Sequence, residues 1–471
     1  VNLSRVSVRL GVRVAFVTAL LSGCAVHEVR EPALPFESPE RFSGSDDSPA
    51  TERWWTSFGR PALDALVDEA VSRNLDLKRA IARVRQAEAV LAGAEGALLP
   101  TLQAQAGVGG ARTVINLGEP IGVRSNEAAS FGLGVSAAWE VDLWGRLRHL
   151  EDAAELDVAA SRADLSAVAQ SIAARVTEAY LQIQGETALL ELLENQDKLA
   201  EKFIAIFDAR QKQGLGTSLE VHQQRQQKAS IRAQMPLAEA RRTLQLQQLA
   251  LLLGRPPGAL ELEMNGASLA SPPQPATGLP SQLLTRRPDV RAAMLRVMAA
   301  DHRVGQAIAA RYPSLSLSGS TGFQSPDLLD LFGRWVWNLA SNLVAPLFDG
   351  HRREAEVKRT EAVLNELVNA YGQTVLTALS EVEGALVQER RQREHIALLE
   401  EQLSFATLAF TEAERRYNQG LASYLDVLTT QRSVEQSEVA LLSARRQLLS
   451  ARVQLHRALG GTWSDAIPTA P

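Results

Sequence analysis

The residues best placed to do chemistry are two carboxylates that recur within a duplicated stretch. RQKQGLGTSLEV (210–221) and RYNQGLASYLDV (416–427) align without a gap at an offset of 206. Glu220 therefore meets Asp426, Gly214 meets Gly420, and Leu215 meets Leu421. Each acid lies six residues past its glycine. Glycine accepts positive φ and ends helices. Long helix-like stretches flank both copies, so both read as tips of helical hairpins, over 213–217 and 419–423. Two acids per chain at one end of such a bundle offer the chemistry of charge: attraction of cations and mutual repulsion. They also fit a plainer role as acids at helix starts, where the helix dipole favours them. Periodicity alone leaves both readings open.

Bond-making chemistry has no comparable candidates. The seven histidines are scattered and none forms an HExxH pair. There is no GxSxG and no Walker loop, and the glycines of 107–110 and 132–134 lie in alternating stretches unsuited to a phosphate cradle. No enzyme, cofactor or metal site is expected. The single cysteine, Cys24, excludes an intrachain disulfide and a Cys-based zinc site. A net charge of −5 gives no nucleic-acid signature.

The elements that would position the tips follow from hydrophobic period. From Gly145 to about Gln213 there is no Pro and one Gly, giving a helix on the order of 100 Å long. Leu165, Val168, Ile172, Val176, Ala179, Ile183, Leu190, Leu193, Ala200, Ile204 and Phe207 recur at close to 3.5 spacing, the mark of coiled-coil packing. A return helix is expected to run from the first tip to Leu253. The second long helix runs from Gly350 to 418, and its return ends at Gly460.

Ahead of each long helix lies a stretch of period 2. Phe131, Leu133, Val135, Ala137, Trp139 and Val141 alternate with Gly132, Gly134, Ser136, Ala138, Glu140 and Asp142. Strands are expected at about 101–110, 130–142, 314–323 and 334–347, each with one apolar and one polar or small face. Ten to twelve residues is about the length a tilted strand needs to cross a bilayer. NLDLKRA (74–80) aligns with RPDVRAA (287–293), and Pro100 with Pro313, at an offset of 213. One unit of helix, two strands, long helix, tip and helix thus occurs twice, at 54–254 and 281–462. A Pro-rich linker, 255–280, joins the copies, and 463–471 is a tail. The fold class is mixed α+β, mainly α. Four strands cannot close, and an open edge in lipid leaves backbone groups unpaired, so closure needs further chains.

Arg5, Arg9 and Arg13, the short apolar run Val14–Leu21 and LSGC (21–24) resemble the signal peptide and lipobox of bacterial lipoproteins. On this resemblance residues 1–23 are a signal peptide, Cys24 is the lipidated mature start, and 24–53 is a tether. Ala25 is compatible with outer-membrane sorting.

RRPDVRAA, WWTSFGRPALDALVDEAVSRNLDL, the two glycine tips and LSGC together resemble the TolC-like outer-membrane factors, within them the NodT-type efflux lipoproteins. The resemblance spans about residues 50–462. It implies a homotrimer in outer-membrane lipid, with a twelve-stranded barrel and a long periplasmic α-barrel. The partners it implies are a periplasmic adaptor docking at the tips (Gly214, Leu215, Gly420, Leu421) and an inner-membrane pump, proton-driven on this reading. It also implies a closed periplasmic gate at Glu220, Asp426 and Tyr417, although Ala422 stands where TolC itself carries an arginine. The function it implies is small-molecule efflux, with type I protein secretion as the alternative. A purely structural coiled-coil lipoprotein and an envelope hydrolase are the competing classes. The four alternating strands speak against the first, and the missing nucleophile–base pair against the second.

Overall fold

The structure is a computed structural model that describes residues 27–29, 33–36, 39, 41–42, 53–116, 123–262, 270–272, 275 and 280–460. Two short helices, α1 (Pro61–Arg73) and α2 (Leu75–Ala97), lead into strands β1 (Thr101–Asn116) and β2 (Val123–Val141). Helix α3 (Arg146–Lys212) runs 67 residues to the first tip. Helices α4 (Ser218–Arg232) and α5 (Met235–Leu252) return. The second copy repeats the order: α6 (Pro280–Arg286), α7 (Pro288–Ala309), β3 (Ser314–Ser325), β4 (Trp335–Val344), α8 (Arg352–Asn418) and α9 (Tyr424–Leu459). Among the described residues no helix is long and apolar enough to cross a membrane.

The chain forms two compact units, and each draws on both sequence copies. One contains Val84–Ser161 and Ala293–Tyr371, hence all four strands; the other contains Phe36–Arg83, Arg162–Ala292 and Gly372–Pro471, hence both tips. In the strand unit the sheet order is β1-β2-β3-β4, antiparallel throughout. Partners across an antiparallel ladder share a face. The register pairs Ala106 with Leu133 and Leu133 with Phe323, then Phe323 with Trp335. One row of apolar side chains thus crosses all four strands. The row of Gln105, Gly134, Gly322 and Val336, smaller or more polar, crosses on the opposite face. The expected face assignment for 131–141 holds across the whole sheet. Among the described residues, no strand pairs with the outer edge of β1 or of β4.

Strand limits differ from the sequence reading. β1 and β2 extend to Asn116 and from Val123, beyond the expected 110 and 130. Period-2 alternation fades there into polar residues, but the ladder continues as far as the Thr113–Asn126 and Asn116–Val123 pairs. A ladder needs only backbone partners, not an apolar face.

In the second unit the heptad reading of α3 is visible as a buried line. Leu165, Ile172, Ala179, Glu186, Leu193, Ala200 and Phe207, each seven apart, are all buried. Glu186 is the polar member; its carboxylate accepts from Arg241 at 3.0 Å and pairs with Arg446. The expectation of one continuous return helix in the first copy needs correction. It breaks between α4 and α5, where Pro236 sits in the first turn of the new helix. Proline lacks the N–H that a continuing helix would require. The second copy has Leu442 there, and α9 runs 36 residues without a break.

Candidate functional site

The two tips are built by the same pair of devices. At the first, α3 ends with Gly214 at φ +73°, Leu215 N–H donating to Arg210 C=O at 2.9 Å and Gly214 N–H to Gln211 C=O at 3.0 Å. At the second, Gly420 has φ +72°, and Leu421 and Gly420 make the matching bonds to Arg416 and Tyr417 at 2.9 and 3.0 Å. This is a Schellman stop, which satisfies the last carbonyls of a helix. Each return helix then opens with a capping box. Thr217 N–H donates to Glu220 Oε2 at 3.0 Å, and Ser423 N–H to Asp426 Oδ2 at 2.8 Å. Leu215, Leu219, Leu421 and Leu425 stand exposed around the two turns.

Glu220 and Asp426 therefore have a definite local role, since each caps its own helix. The Asp426 carboxyl lies below the usual carboxylate range, held first by the Ser423 hydroxyl and then by the Ser423 N–H. Mutual repulsion among neighbouring acids would raise such groups; within one chain the cap acts on Asp426 in the opposite sense.

Tyr417 is buried, and its contacts are those of its ring. It meets Phe207 edge-on at 5.9 Å, and the Arg210 guanidinium lies 4.8 Å from its centroid. A hydrogen bond to Glu220, which would suit a gate, is not among them. Burial first, then the nearby Glu220 charge, push the Tyr417 hydroxyl upward. The tyrosine that does hydrogen-bond is Tyr424, whose hydroxyl donates to Gln224 Oε1 at 3.1 Å. Cys24 lies outside the described residues.

Two features behind the tips were missed by the sequence reading. Phe203, Phe207, Tyr417 and Tyr424 form an aromatic cluster with Val221, Val427 and Leu428. Behind it lies a buried polar ladder. Gln431 donates to Glu435 at 2.8 Å, Gln227 also donates to Glu435, and Arg432 donates to Gln227 at 2.7 Å. Burial raises the Glu435 carboxyl despite these partners. Part of the signal was present: Val221, Gln224, Gln227 and Ile231 share the buried face of α4, so two glutamines sit where a coiled coil expects apolar residues, but the groups they meet are set by the facing helix.

The scattered-histidine reading also needs correction. In the strand unit His149, Asp152 and His302 bring one ligand atom each within 4.8 Å of one another. His149 is lowered, by burial first and then by His302 and His27.

The family model described as outer membrane efflux protein matches residues 66–255 and 279–461, one stretch on each sequence copy. The chain belongs to this family. Its relatives include the pyoverdine export outer membrane protein OpmQ of Pseudomonas putida, 36% identical over 430 residues, covering 89% of this chain and 90% of OpmQ. The toluene efflux pump outer membrane protein TtgI of Pseudomonas putida is 31% identical, covering 95% and 97%. Among solved structures the outer-membrane channel OprN matches with a TM-score of 0.84 at 26% identity, covering 94% of this chain and all of that one. The protein is thus an outer-membrane efflux channel, and the family is not one of enzymes. The expectation drawn from RRPDVRAA and the glycine tips is met at the level of family and location.

Proposed function

We propose that the protein is the outer-membrane component of a tripartite efflux system, exporting small molecules through a trimeric pore. The observation that carries this reading is the two-faced sheet with unpaired outer edges. Its apolar row suits lipid, its Ser, Gln and Gly row suits a water-filled lumen, and three copies of four strands make a closed barrel of twelve. Relatives named for pyoverdine export and toluene efflux support small organic molecules as the cargo class. The exposed leucines at the equivalent tips support docking of a periplasmic adaptor there, two similar knobs per chain. An inner-membrane pump would supply the energy. Cys24 would add a lipid anchor, and Glu220, Asp426 and Tyr417 would form the resting gate.

The test is complementation of a strain lacking the channel, scored by accumulation of an organic solvent or dye. The parent should restore efflux. Gly420→Trp should assemble and insert but lose efflux. Gly214 and Gly420 each have open space where a Cβ would stand. Left-handed backbone costs a non-glycine residue only about 1–2 kcal/mol. Retained efflux in both Gly214→Trp and Gly420→Trp strains would reject tip docking. Secretion of a protein substrate with no effect on small molecules would favour the type I alternative.

A further inference from the structure

The His149, Asp152 and His302 cluster has the form of a transition-metal site. His149 and Asp152 lie one turn apart on α3, and His302 faces them from α7. His149 Nδ1 is 3.2 Å from His302 Nδ1, and His302 Nδ1 is 3.3 Å from the Asp152 carboxylate. Tetrahedral zinc, with N and O ligands at about 2.0–2.1 Å, places neighbouring ligand atoms about 3.3 Å apart. Two of the donor separations, both to His302 Nδ1, are thus those such an ion sets, and all three ligand atoms lie within 4.8 Å of one another. Two imidazoles and one carboxylate are a ligand set of the borderline divalent cations.

The surroundings fit as well. A Cβ at Gly305, one turn beyond His302 on α7, would lie 2.7–2.9 Å from three ring atoms of His149. Only glycine leaves His149 its present place. His27 Nε2 lies 2.7 Å from Asp301 Oδ1, and its ring stands 6.1 Å from that of His149, closing one side. The Asp152 side chain is 45% exposed, so water can reach the cluster there as a fourth ligand.

We propose that His149, Asp152 and His302 bind one Zn²⁺ per chain, with water completing the shell. The ion would tie α3, which starts shortly after β2, to α7, which ends shortly before β3. It would thus pin the first sequence copy to the second beside the sheet.

The test uses tag-free, chelator-stripped protein in detergent, titrated with Zn²⁺ by calorimetry and with Co²⁺ by absorption. The expected result is one saturable site per chain, the visible band of four-coordinate Co²⁺, and a Zn²⁺-dependent rise in Tm. His302→Ala should weaken binding by more than about 100-fold, beyond the 10–100-fold typical of groups that only orient a ligand. Gly305→Ala keeps every donor but displaces His149, and should weaken binding at least about 10-fold with the oligomer intact. His351→Ala and His395→Ala should change nothing. Absence of a saturable site in the parent, or equal affinity in the parent and Gly305→Ala, would overturn the proposal and leave a hydrogen-bonded histidine pair.

Discussion

At the scale of single residues, the duplication shows different side chains filling one role. Asn74 and Arg287 are equivalents in NLDLKRA and RPDVRAA. Asn74 Nδ2 donates to Leu252 C=O at 2.8 Å, and Arg287 donates to Ala458 C=O at 3.0 Å. Each clamps the last turn of its own copy's return helix. His456, in that same last turn, stacks on Trp54 with centroids 5.0 Å apart. Burial first, then Arg452, hold its imidazole down to about 3. The native state therefore stays neutral where an unfolded histidine, of pKa about 6.5, would take a proton. This contribution is whole above the unfolded value and is lost progressively as pH falls toward about 3. By pH 4 the loss is on the order of 3 kcal/mol per chain. His456→Phe keeps an aromatic face for Trp54 and removes the titrating group. Its Tm should fall less than the parent's between pH 7 and pH 4, and parallel Tm profiles would contradict the assignment. At the tips, the capping role of Asp426 separates two effects of one residue. Asp426→Asn keeps an oxygen that can accept from Ser423 N–H but removes the charge, and should cost roughly 0.3–1 kcal/mol of local stability, the range of a first-turn carboxylate against the helix dipole. If the carboxylate also faces the pore entrance, cation preference in planar-bilayer recordings should weaken. Unchanged selectivity would leave Asp426 a cap alone.

At the scale of elements, the sheet gives the sharpest expectation. Gly134 and Gly322 are register partners on the face opposite the apolar row, and they sit where the two sequence copies join. A Cβ at Gly322 would lie 2.6 Å from Gly134 Cα, so the β2–β3 contact is set by backbone and has no flexible side chain to yield. Gly322→Val should abolish oligomer formation, as judged by unheated gels of outer-membrane fractions. On the other face, Leu133→Arg should impair assembly far more than Ser136→Arg, since a mid-bilayer arginine toward lipid costs about 2–4 kcal/mol. Equal assembly of the two would mean the faces are reversed. These elements were legible because alternation at 131–141 follows from the two faces of a strand, and the seven-residue line from Leu165 to Phe207 from burial of one helix face. The tips were legible because a glycine stop and a Thr or Ser start three residues before an acid are local chemistry. The break before Pro236 is equally local, since proline alone marks it, and a single return helix was the wrong expectation there. Two things were not legible. The ladder around Glu435 depends on which helix lies opposite. The meeting of His149 with His302 joins residues 153 positions apart, and period carries no information about that distance.

At the scale of the whole molecule, the question is what holds the protein in its membrane. The described sheet exposes Leu102, Val108, Leu133, Trp335, Trp337, Leu339 and Leu343 along its apolar rows, and both of its outer edges are unpaired. Neither condition suits an isolated chain. Apolar surface of this extent needs a cover, and unpaired backbone groups in lipid cost several kcal/mol each. Symmetric joining of chains edge to edge would answer both at once, because it would pair β1 of one copy with β4 of the next and turn every apolar row outward. On this reading the barrel inserts by its own surface, and lipid at Cys24 adds one further anchor. Cys24→Ala should therefore lose fatty-acid labelling yet remain in outer-membrane fractions as a heat-dissociable oligomer of three chains. Persistent labelling of the variant would remove Cys24 as the acceptor. Release of the variant as a soluble single chain would show that the sheet does not close by itself, and the anchor would then be the primary attachment.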